Sequence, residues 1–216
     1  MIDHVFKEVE GTCCMEFVGD FEAKYKAEDD PWEQSGGTGV RAEYYQFART
    51  KLLARLHNRV KERALGLEIG CGYGYLTELL AKRYRMVGMD VSETALKRAN
   101  MLHPGIEYVL GDITKDGFVP PNEEFHFCIL AQCWWYVMHK YETALENCKE
   151  CLVDGGLFVL HQAFLKEQKY GRDIADGFHG AVKLFMDYPG LRLIEASYED
   201  SGELCYYDGL IILRKV

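Results

Sequence analysis

The sequence predicts an α/β fold built on a doubly wound, mostly parallel β-sheet. Three observations support this prediction. Apolar segments with strand character alternate with amphipathic helical segments through the middle of the chain. The first strand is followed by three closely spaced glycines, which allow a backbone to turn sharply into a helix. Two β-rich segments, separated only by residues 199–203, follow near the end of the sequence and indicate a hairpin.

The alternation predicts five strands and three helices in the centre of the chain. The predicted strands are residues 65–69, 85–89, 106–110, 125–131 and 157–162. The predicted helices between them are residues 75–83, 94–101 and 141–152. We expect the last helix to end at the segment V-D-G-G, residues 153–156, because glycine readily adopts the left-handed conformation that stops a helix. Residues 191–198 and 205–214 should pair as the hairpin.

The residues before the first predicted strand should form a lid and a cap helix. A polar segment rich in glycine, residues 29–39, precedes a long helical stretch, residues 40–63. This stretch is the most basic part of the chain, but its apolar residues recur at helical spacing, which favours a solvated helix face. With 216 residues, of which 48% are hydrophobic, we expect one domain with one core. Its parts are the lid and cap (1–63), the central core (64–165), an insert (166–190) and the hairpin (191–216).

Charge and hydropathy disfavour several classes of partner. The 34 acidic and 25 basic residues give a net charge of −9, which opposes binding to nucleic acid through its phosphate backbone. No apolar run approaches the roughly 20 residues that a membrane helix needs. The first residues, M-I-D-H, lack the basic and hydrophobic regions of a secretion signal. We therefore expect a cytoplasmic protein without a membrane partner, and the sequence does not indicate an oligomeric state.

The cysteines are expected to be free thiols. Cys71, Cys128 and Cys133 fall on predicted buried strands or turns, where a free cysteine behaves as a small hydrophobe. The pair Cys148 and Cys151 has the spacing of metal ligands, but no second pair lies nearby and both fall in a predicted helix. A packed helix face is the favoured interpretation, and no metal site is expected.

The segment that joins the first strand to the first helix indicates a nucleotide-binding turn. Glu68 lies on a short apolar run directly before Gly70, Gly72 and Gly74. Glycines at these positions let the backbone approach a ligand that a Cβ atom would exclude. Asp90 lies 20 residues after Gly70 at the end of the second strand, where a carboxylate can accept hydrogen bonds from both ribose hydroxyls.

Each of these observations also has a purely structural interpretation. Glycine turns after buried strands are common in α/β proteins, and Glu68 could be a solvated carboxylate at a strand end. Asp90 and Asp112 could each cap a helix. The order and spacing of the three acids, together with the flanking strands, favour a cofactor site over these alternatives.

The motifs E-I-G-C-G-Y-G, G-M-D-V and G-D-I resemble the cofactor motifs of class I S-adenosylmethionine-dependent methyltransferases. Nicotinamide enzymes fit less well, because Tyr75 occupies the third glycine position of G-x-G-x-x-G. The resemblance implies S-adenosylmethionine as cofactor and a Rossmann-like, seven-stranded sheet in the order 3-2-1-4-5-7-6, with strand 7 antiparallel and a helical N-terminal cap. It implies cofactor contacts at the carboxyl ends of the first four strands. These residues are Glu68, Gly70, Cys71, Gly72, Gly74, Asp90, Val91, Gly111, Asp112, Ile113 and Ala131.

The N-terminal region resembles a narrower group. The segment D-P-W, a polar loop and the helix E-Y-Y-Q-F-A-R-T-K-L-L are similar to the nodulation-type (NodS-like) N-methyltransferases, whose members act on amino sugars. The resemblance implies a small, polar, sugar-like acceptor under a lid formed by the region around Trp32 and the insert. Arg41, Tyr45 and His179 are further candidates for contacts with the acceptor. A hydrophobic phenolic acceptor is an alternative.

Candidates for catalysis should lie at the carboxyl ends of strands four and five. Transfer from a sulfonium needs little beyond positioning when the acceptor is a neutral amine, whereas a hydroxyl needs a base. The resemblance implies that an acid is usual at the end of strand four. Gln132 replaces it in this chain, and an amide can position an acceptor but cannot take its proton. Tyr136 could face the methyl donor, since aromatic faces attract cations. His161 is the best candidate for a general base, with a satisfied core histidine as the alternative.

The two tryptophans after Gln132 could also form an aromatic wall around the donor, or could simply pack in the core. Trp134 and Trp135 cannot both face the site if the chain is extended there. The predicted function is methyl transfer to nitrogen or oxygen of a small polar metabolite. A catalytically weak S-adenosylmethionine-binding scaffold protein and an NAD-binding oxidoreductase are the alternatives.

Overall fold

The structure is a computed structural model that describes residues 4–12, 14–35, 40–120, 124–200, 202 and 205–216, without the side chains of residues 40–42. The strands are β1 (Phe6–Glu8), β2 (Met15–Phe17), β3 (Leu65–Ile69), β4 (Arg85–Asp90), β5 (Glu107–Leu110), β6 (Phe125–Ala131), β7 (Leu152–Leu165), β8 (Leu191–Glu199) and β9 (Tyr206–Lys215). The helices are α1 (Phe21–Ala27), α2 (Val40–His57), α3 (Tyr75–Ala81), α4 (Glu93–Leu102), α5 (Trp134–Val137), α6 (Tyr141–Cys151) and α7 (Gly177–Met186).

The main sheet has seven strands within the described residues, in the order β5-β4-β3-β6-β7-β9-β8. Neighbouring strands from β5 to β7 are parallel, and β9 runs antiparallel to both β7 and β8. Counted from β3, this order is 3-2-1-4-5-7-6 with the seventh strand antiparallel. The predicted sheet and the predicted C-terminal hairpin are therefore confirmed.

Helices cover both faces of the sheet. Leu52 and Leu56 of α2 are buried with residues of α3 on one face, and residues of α6 and α7 pack with β-strand residues on the other. Burial of each leucine side chain stabilises the docked helix by about 1.5 to 3 kcal/mol. Strand β3 is an interior strand between β4 and β6 and is buried at all five positions.

Several predicted boundaries differ from the structure. Helix α6 ends at Cys151 and not at the two glycines, because Leu152 already pairs with Phe125 as the first residue of β7. Gly155, with φ of 77°, lies inside that strand, where the register between β6 and β7 shifts. The cap helix α2 ends at His57, six residues before the predicted end at residue 63.

The N-terminal region contains a β-hairpin and a short helix that the sequence did not indicate. Phe6 pairs with Phe17 across β1 and β2, and the Met15 N–H donates to the Lys169 carbonyl over 3.1 Å, which joins the hairpin to the insert. Helix α1 begins after Asp20, whose carboxylate accepts from the Ala23 N–H. Among the residues that the structure describes, no helix has the length and the apolar character needed to cross a membrane.

Candidate active site

A cavity of about 330 Å³ lies at the carboxyl ends of β3, β4, β6 and β7, beneath α2 and the N-terminal region. It brings together most of the residues that the sequence predicted for the site. These are Glu68, Gly70, Cys71, Gly72, Asp90, Val91, Gly111, Asp112, Ile113, Ala131, Gln132, Tyr136, His161, Trp32 and Tyr45. The clustering arises because the carboxyl ends of parallel strands meet at one edge of the sheet.

The glycine turn is shaped by backbone conformations that glycine adopts without strain. Gly70, Gly72 and Gly74 have φ of 70°, 54° and 78°. A Cβ on Gly72 would lie 2.8 Å from the Tyr25 hydroxyl oxygen, and one on Gly70 would lie 2.6 Å from the Cys133 sulfur. Gly74 is the N-cap of α3 and is not among the cavity residues.

Asp90 links the second strand to this turn. Its Oδ2 accepts from the Gly72 N–H over 2.8 Å, and its Oδ1 accepts from the Ser92 N–H over 3.0 Å. Burial raises the pKa of Asp90, while these backbone hydrogen bonds oppose the rise. Ser92 and not Asp90 caps α4, since the Ser92 side chain accepts from the Ala95 N–H. The Asp90 carboxylate is therefore held at the cavity with both oxygens oriented.

Glu68 lies at the floor of the cavity. Burial raises the pKa of Glu68 to about 8, and the Thr77 hydroxyl, which donates to Oε2, and the charge of Arg49 oppose this rise. Arg49 was not predicted. Its guanidinium lies 5.6 Å from the Tyr45 ring centre and 5.4 Å from the Tyr75 ring centre. Arg49 therefore adds a positive charge to the cavity near Glu68.

Helical spacing could have revealed Arg49. Tyr45, Ala48, Arg49 and Leu52 lie at positions i, i+3, i+4 and i+7 of α2, and all four line the cavity. The predicted residue Arg41 belongs to the same helix, but its side chain lies outside the described residues.

A polar cluster forms the wall next to β7. His161 is fully buried, and its Nε2 lies 3.0 Å from Oδ1 and 3.2 Å from Oδ2 of Asp208. On the other side of the ring, Nδ1 lies 3.3 Å from Nε2 of Gln132. Gln132 Nε2 also donates to the Tyr44 hydroxyl over 2.7 Å, and that hydroxyl donates to Asp208 Oδ1 over 2.9 Å. Lys51 completes the cluster at 2.6 Å from Asp208 Oδ2.

The electrostatics of this cluster favour a charged Asp208 and a protonated Tyr44. Burial alone would raise the pKa of Asp208, but hydrogen bonds from His161 and Lys51 and the charge of Lys51 outweigh burial and hold the pKa below its usual value. Burial and the neighbouring Asp208 raise the pKa of Tyr44 far above its usual value. Asp208 therefore accepts hydrogen bonds at neutral pH, and Tyr44 keeps the proton that it donates.

An aromatic wall closes the cavity from the N-terminal side. Tyr136 lies 5.7 Å from Trp32 and 5.0 Å from Phe21, measured between ring centres. The Trp32 indole N–H donates to the Tyr25 hydroxyl over 2.9 Å. Phe17 also lines the cavity. Trp32 therefore lines the cavity, while the role of its region as a lid stays a prediction.

Other predicted residues lie away from the cavity. His179 is on α7, where its ring packs against Phe178 and Tyr198. No residue of the insert lines the cavity, because α7 instead packs on the sheet with Phe178 and Phe185 buried in the core. Trp134 is buried against Phe185, and neither it nor Trp135 lines the cavity, since α5 directs them into the core.

The described part of the chain shows no group of three or more histidine, cysteine, aspartate or glutamate side chains that could hold a metal ion. The cysteines described there are free thiols, as predicted; Cys148 and Cys151 are buried on one side of α6. The cavity combines the glycine turn, the buried acids Glu68 and Asp90, the aromatic wall and the cluster around His161.

Comparisons with known proteins point to one family of domains. Residues 67–156 match a family model described as a methyltransferase domain. A trans-aconitate 2-methyltransferase of Delftia acidovorans (strain DSM 14801 / SPH-1) is 31% identical over 125 residues, which make up 54% of this chain and 46% of that protein. The match therefore spans about half the length of this curated relative.

Similar solved structures share the fold of this chain. The N-methyltransferase NodS from Bradyrhizobium japonicum WM9, in complex with S-adenosyl-L-homocysteine, has a TM-score of 0.67 and 24% identity, covering 90% of this chain and 95% of that one. The magnesium protoporphyrin IX methyltransferase of Synechocystis PCC 6803 with bound S-adenosylhomocysteine has a TM-score of 0.65 and 15% identity, and the match covers 89% of this chain and 96% of that one. An amino pentose methyltransferase of Micromonospora echinaspora with bound S-adenosylmethionine has a TM-score of 0.60 and 14% identity, and the match covers 84% of this chain and 99% of that one.

Proposed function

From its class I methyltransferase fold and the methyltransferase domain at residues 67–156, we propose that this chain transfers a methyl group from S-adenosylmethionine to nitrogen or oxygen of a small polar metabolite. Similar structures were solved with S-adenosylmethionine or its demethylated product bound, which supports this cofactor. The sugar-like character of the acceptor is the finer part of the proposal. It rests on the aromatic and polar walls of the cavity and on the similarity to NodS.

The residues of the cavity fit this cofactor. Gly70 and Gly72 line the cavity, and the absence of a Cβ at each allows Cys133 and Tyr25 to pack directly against the turn. The oriented carboxylate of Asp90 would accept the ribose hydroxyls, and Asp112 and Ile113 would contact the base. Bound S-adenosylmethionine would supply a methyl group on a positively charged sulfur, which is already activated for transfer.

The observation that carries the proposal is that one cavity joins the cofactor turn to a polar wall. Asp90 and the glycine turn lie on one side, and Gln132, Tyr136 and His161 lie on the other. A cofactor held by the turn and an acceptor held by the wall would therefore meet inside one enclosure. Such positioning lowers the entropic cost of a displacement between two molecules.

The chain's own residues perform three tasks in this mechanism. Tyr136, Trp32 and Phe21 exclude water and present aromatic faces to a cation and to the apolar face of a sugar. Arg49 supplies positive charge at the end of the cavity that contains Glu68. His161 accepts the proton of a hydroxyl or ammonium acceptor, with Asp208 stabilising the resulting imidazolium.

The acceptor should be a small molecule. Within the described residues the cavity is covered by α1, α2 and the segment around Trp32, which leaves room for a metabolite and not for a macromolecular surface. The net charge of −9 also opposes binding to nucleic acid.

Calorimetry followed by an acceptor screen tests the proposal. We expect saturable binding of S-adenosylmethionine and S-adenosylhomocysteine and no comparable binding of NAD. A panel of amino sugars, sugars, small amines and phenols would then be screened for production of S-adenosylhomocysteine. Saturable NAD binding without S-adenosylhomocysteine binding would overturn the cofactor assignment, and cofactor binding without turnover of any acceptor would favour a scaffold protein.

A further inference from the structure

The orientation of the Gln132 amide is fixed by the backbone of β7. Its Oε1 accepts from the Ala163 N–H over 3.0 Å and from Gln162 Nε2 over 3.3 Å. A backbone N–H can only donate, so the amide oxygen must face Ala163 and the amide nitrogen must face the other way. Gln132 is held in this place by a left-handed backbone, with φ of 59°, which is rare for a residue with a side chain.

This orientation decides where the proton of His161 lies. The Gln132 amide nitrogen faces Nδ1 of His161 at 3.3 Å. Because an amide nitrogen only donates hydrogen bonds, Nδ1 must present a lone pair.

The contacts on the opposite side of the ring also place the proton on Nε2. Nε2 faces both oxygens of Asp208, at 3.0 Å and 3.2 Å, and a carboxylate only accepts, so Nε2 must carry the proton. Tyr44 and Lys51 hold the carboxylate in place through contacts of 2.9 Å and 2.6 Å. Contacts on both sides of the ring therefore select the same tautomer.

We propose that Asp208 and Gln132 are positioning residues that fix the Nε2–H tautomer of His161, so that Nδ1 is the atom that takes the acceptor's proton. This inference rests on the proposed function and specifies the acceptor as a donor of a hydrogen bond, a hydroxyl or an ammonium group. The acceptor's O–H or N–H bond breaks, its proton bonds to Nδ1, and the electron pair left on the acceptor becomes the nucleophile. Asp208 balances the charge of the imidazolium.

The contacts also indicate how the acceptor reaches Nδ1. All four hydrogen-bonding positions of the Gln132 amide are engaged, by Ala163, Gln162, Tyr44 and His161. The contact to His161, at 3.3 Å, is longer than the contact to Tyr44, at 2.7 Å. An incoming donor therefore replaces the amide at Nδ1 and leaves the bond to Tyr44 intact. A molecule without an O–H or N–H group cannot make this exchange.

Nuclear magnetic resonance of the ligand-free protein tests the tautomer directly. The chain is labelled with ¹⁵N-histidine, and the His161 signals are identified by their loss in His161→Gln. At neutral pH we expect a protonated Nε2 and an unprotonated Nδ1. In Gln132→Glu a carboxylate oxygen faces Nδ1, so both nitrogens should be protonated. A protonated Nδ1 in the wild-type protein would overturn the inference, as would an unchanged tautomer in Gln132→Glu.

Kinetics of Asp208→Asn test the consequence for catalysis. With a hydroxyl acceptor found in the screen, we expect kcat to fall by about 10² to 10⁴, because the imidazolium loses the carboxylate that balances its charge and the tautomer loses one of the two contacts that select it. The affinity for S-adenosylhomocysteine should stay within about twofold. Asp200→Asn is the matched control, since Asp200 also pairs with a lysine, Lys166, but lies outside the cavity. Wild-type kcat together with the wild-type tautomer in Asp208→Asn would overturn the inference.

Two features keep this test separate from the test of the proposed function. The tautomer is measured without cofactor or acceptor, so its result stands even if no acceptor is turned over. If Asp208→Asn does not fold, Gln132→Glu carries the kinetic test, because protonation of Nδ1 removes the lone pair that takes the acceptor's proton. A protonated Nδ1 in folded Gln132→Glu, together with wild-type kcat, would contradict the role of Nδ1.

Discussion

The Asp90 carboxylate accepts a hydrogen bond from the Gly72 N–H over 2.8 Å, which ties the end of β4 to the turn after β3. Asp90, which we propose to bind the ribose, therefore also fixes the backbone of the glycine turn, which we propose to contact the rest of the cofactor. Its Oδ1 is fixed in the same way by the Ser92 N–H. One side chain thus sets the geometry of the cofactor end of the cavity, and its replacement should affect binding in two ways.

Asp90→Ala should weaken S-adenosylhomocysteine binding by about 1.5 to 3 kcal/mol, the usual range for hydrogen bonds to a charged acceptor. Calorimetry at constant salt measures this change. Asp116→Ala is the control, because Asp116 is an exposed acid that does not line the cavity. Equal affinity of Asp90→Ala and wild type would remove Asp90 from the cofactor site.

Glu68 should make the protein less stable as the pH rises through its titration. Burial raises its pKa from 4.5 to about 8, so between these values the folded state binds a proton that the unfolded state has lost. The stabilisation is complete below about pH 4.5 and is lost by about pH 8. In Glu68→Gln this dependence is absent, so denaturant unfolding between pH 5 and 8 should show the wild type losing a few kcal/mol relative to the variant. Parallel stability curves would contradict the prediction.

His161→Gln should lower kcat for a hydroxyl acceptor by about 10² to 10⁴ and leave the affinity for S-adenosylhomocysteine unchanged. An amine acceptor that arrives neutral should be affected much less, because it needs no base. Rates are measured from pH 6 to 9 with both kinds of acceptor. A near wild-type rate throughout this range would identify His161 as a structural residue.

Glu22→Ala should loosen the attachment of α1 over the cofactor turn. Glu22 accepts from the hydroxyls of Ser92 and Thr94 over 2.6 Å and 2.7 Å, and these hydrogen bonds lower its pKa to about 2. We expect S-adenosylhomocysteine to dissociate about three- to tenfold faster, measured by stopped-flow competition, because each lost bond to a charged group at this exposed site contributes little alone. Glu28→Ala, on the same helix, is the control. Equal dissociation rates in the two variants would refute the role of Glu22.

Gly72→Ala should destabilise the turn through a specific contact. The new Cβ would lie 2.8 Å from the Tyr25 hydroxyl oxygen, and the backbone φ of 54° adds roughly 1 to 2 kcal/mol of strain. In a Tyr25→Phe background the first cost disappears and the second remains. A double-mutant cycle on the free energy of unfolding should therefore give a favourable coupling. Strict additivity would show that the hydroxyl does not limit this position.

The sequence predicted the parts of the fold that depend on regular patterns. Alternating apolar segments and the resemblance to class I methyltransferases predicted the sheet order, which the structure confirms, and the comparisons confirm the resemblance. The β1–β2 hairpin was missed because strands of three residues leave almost no periodicity to detect. The catalytic roles, the acceptor and the cytoplasmic location stay predictions.

The partners of His161 could not be predicted from the sequence. Asp208 faces His161 only because β9 pairs with β7 in a register that places Asp208 opposite Ala163, and no local pattern encodes that register. A clue existed nonetheless. Asp208 is an acid within an apolar strand, and a buried acid requires a partner. Tyr44 and Lys51 could have been found in the same way only after α2 was known to cross β9.

Helix α2 contributes side chains to two parts of the site. Arg49 lies near Glu68, below the cofactor turn. Tyr44 and Lys51, seven residues apart on the same helix, contact the Asp208 carboxylate behind His161. Under the proposed function, a movement of α2 would disturb the charge beside Glu68 and the hydrogen bonds to Asp208 at the same time. Entry of the methyl donor would then be expected to affect the placement of the proton acceptor, which favours binding of the donor before the acceptor.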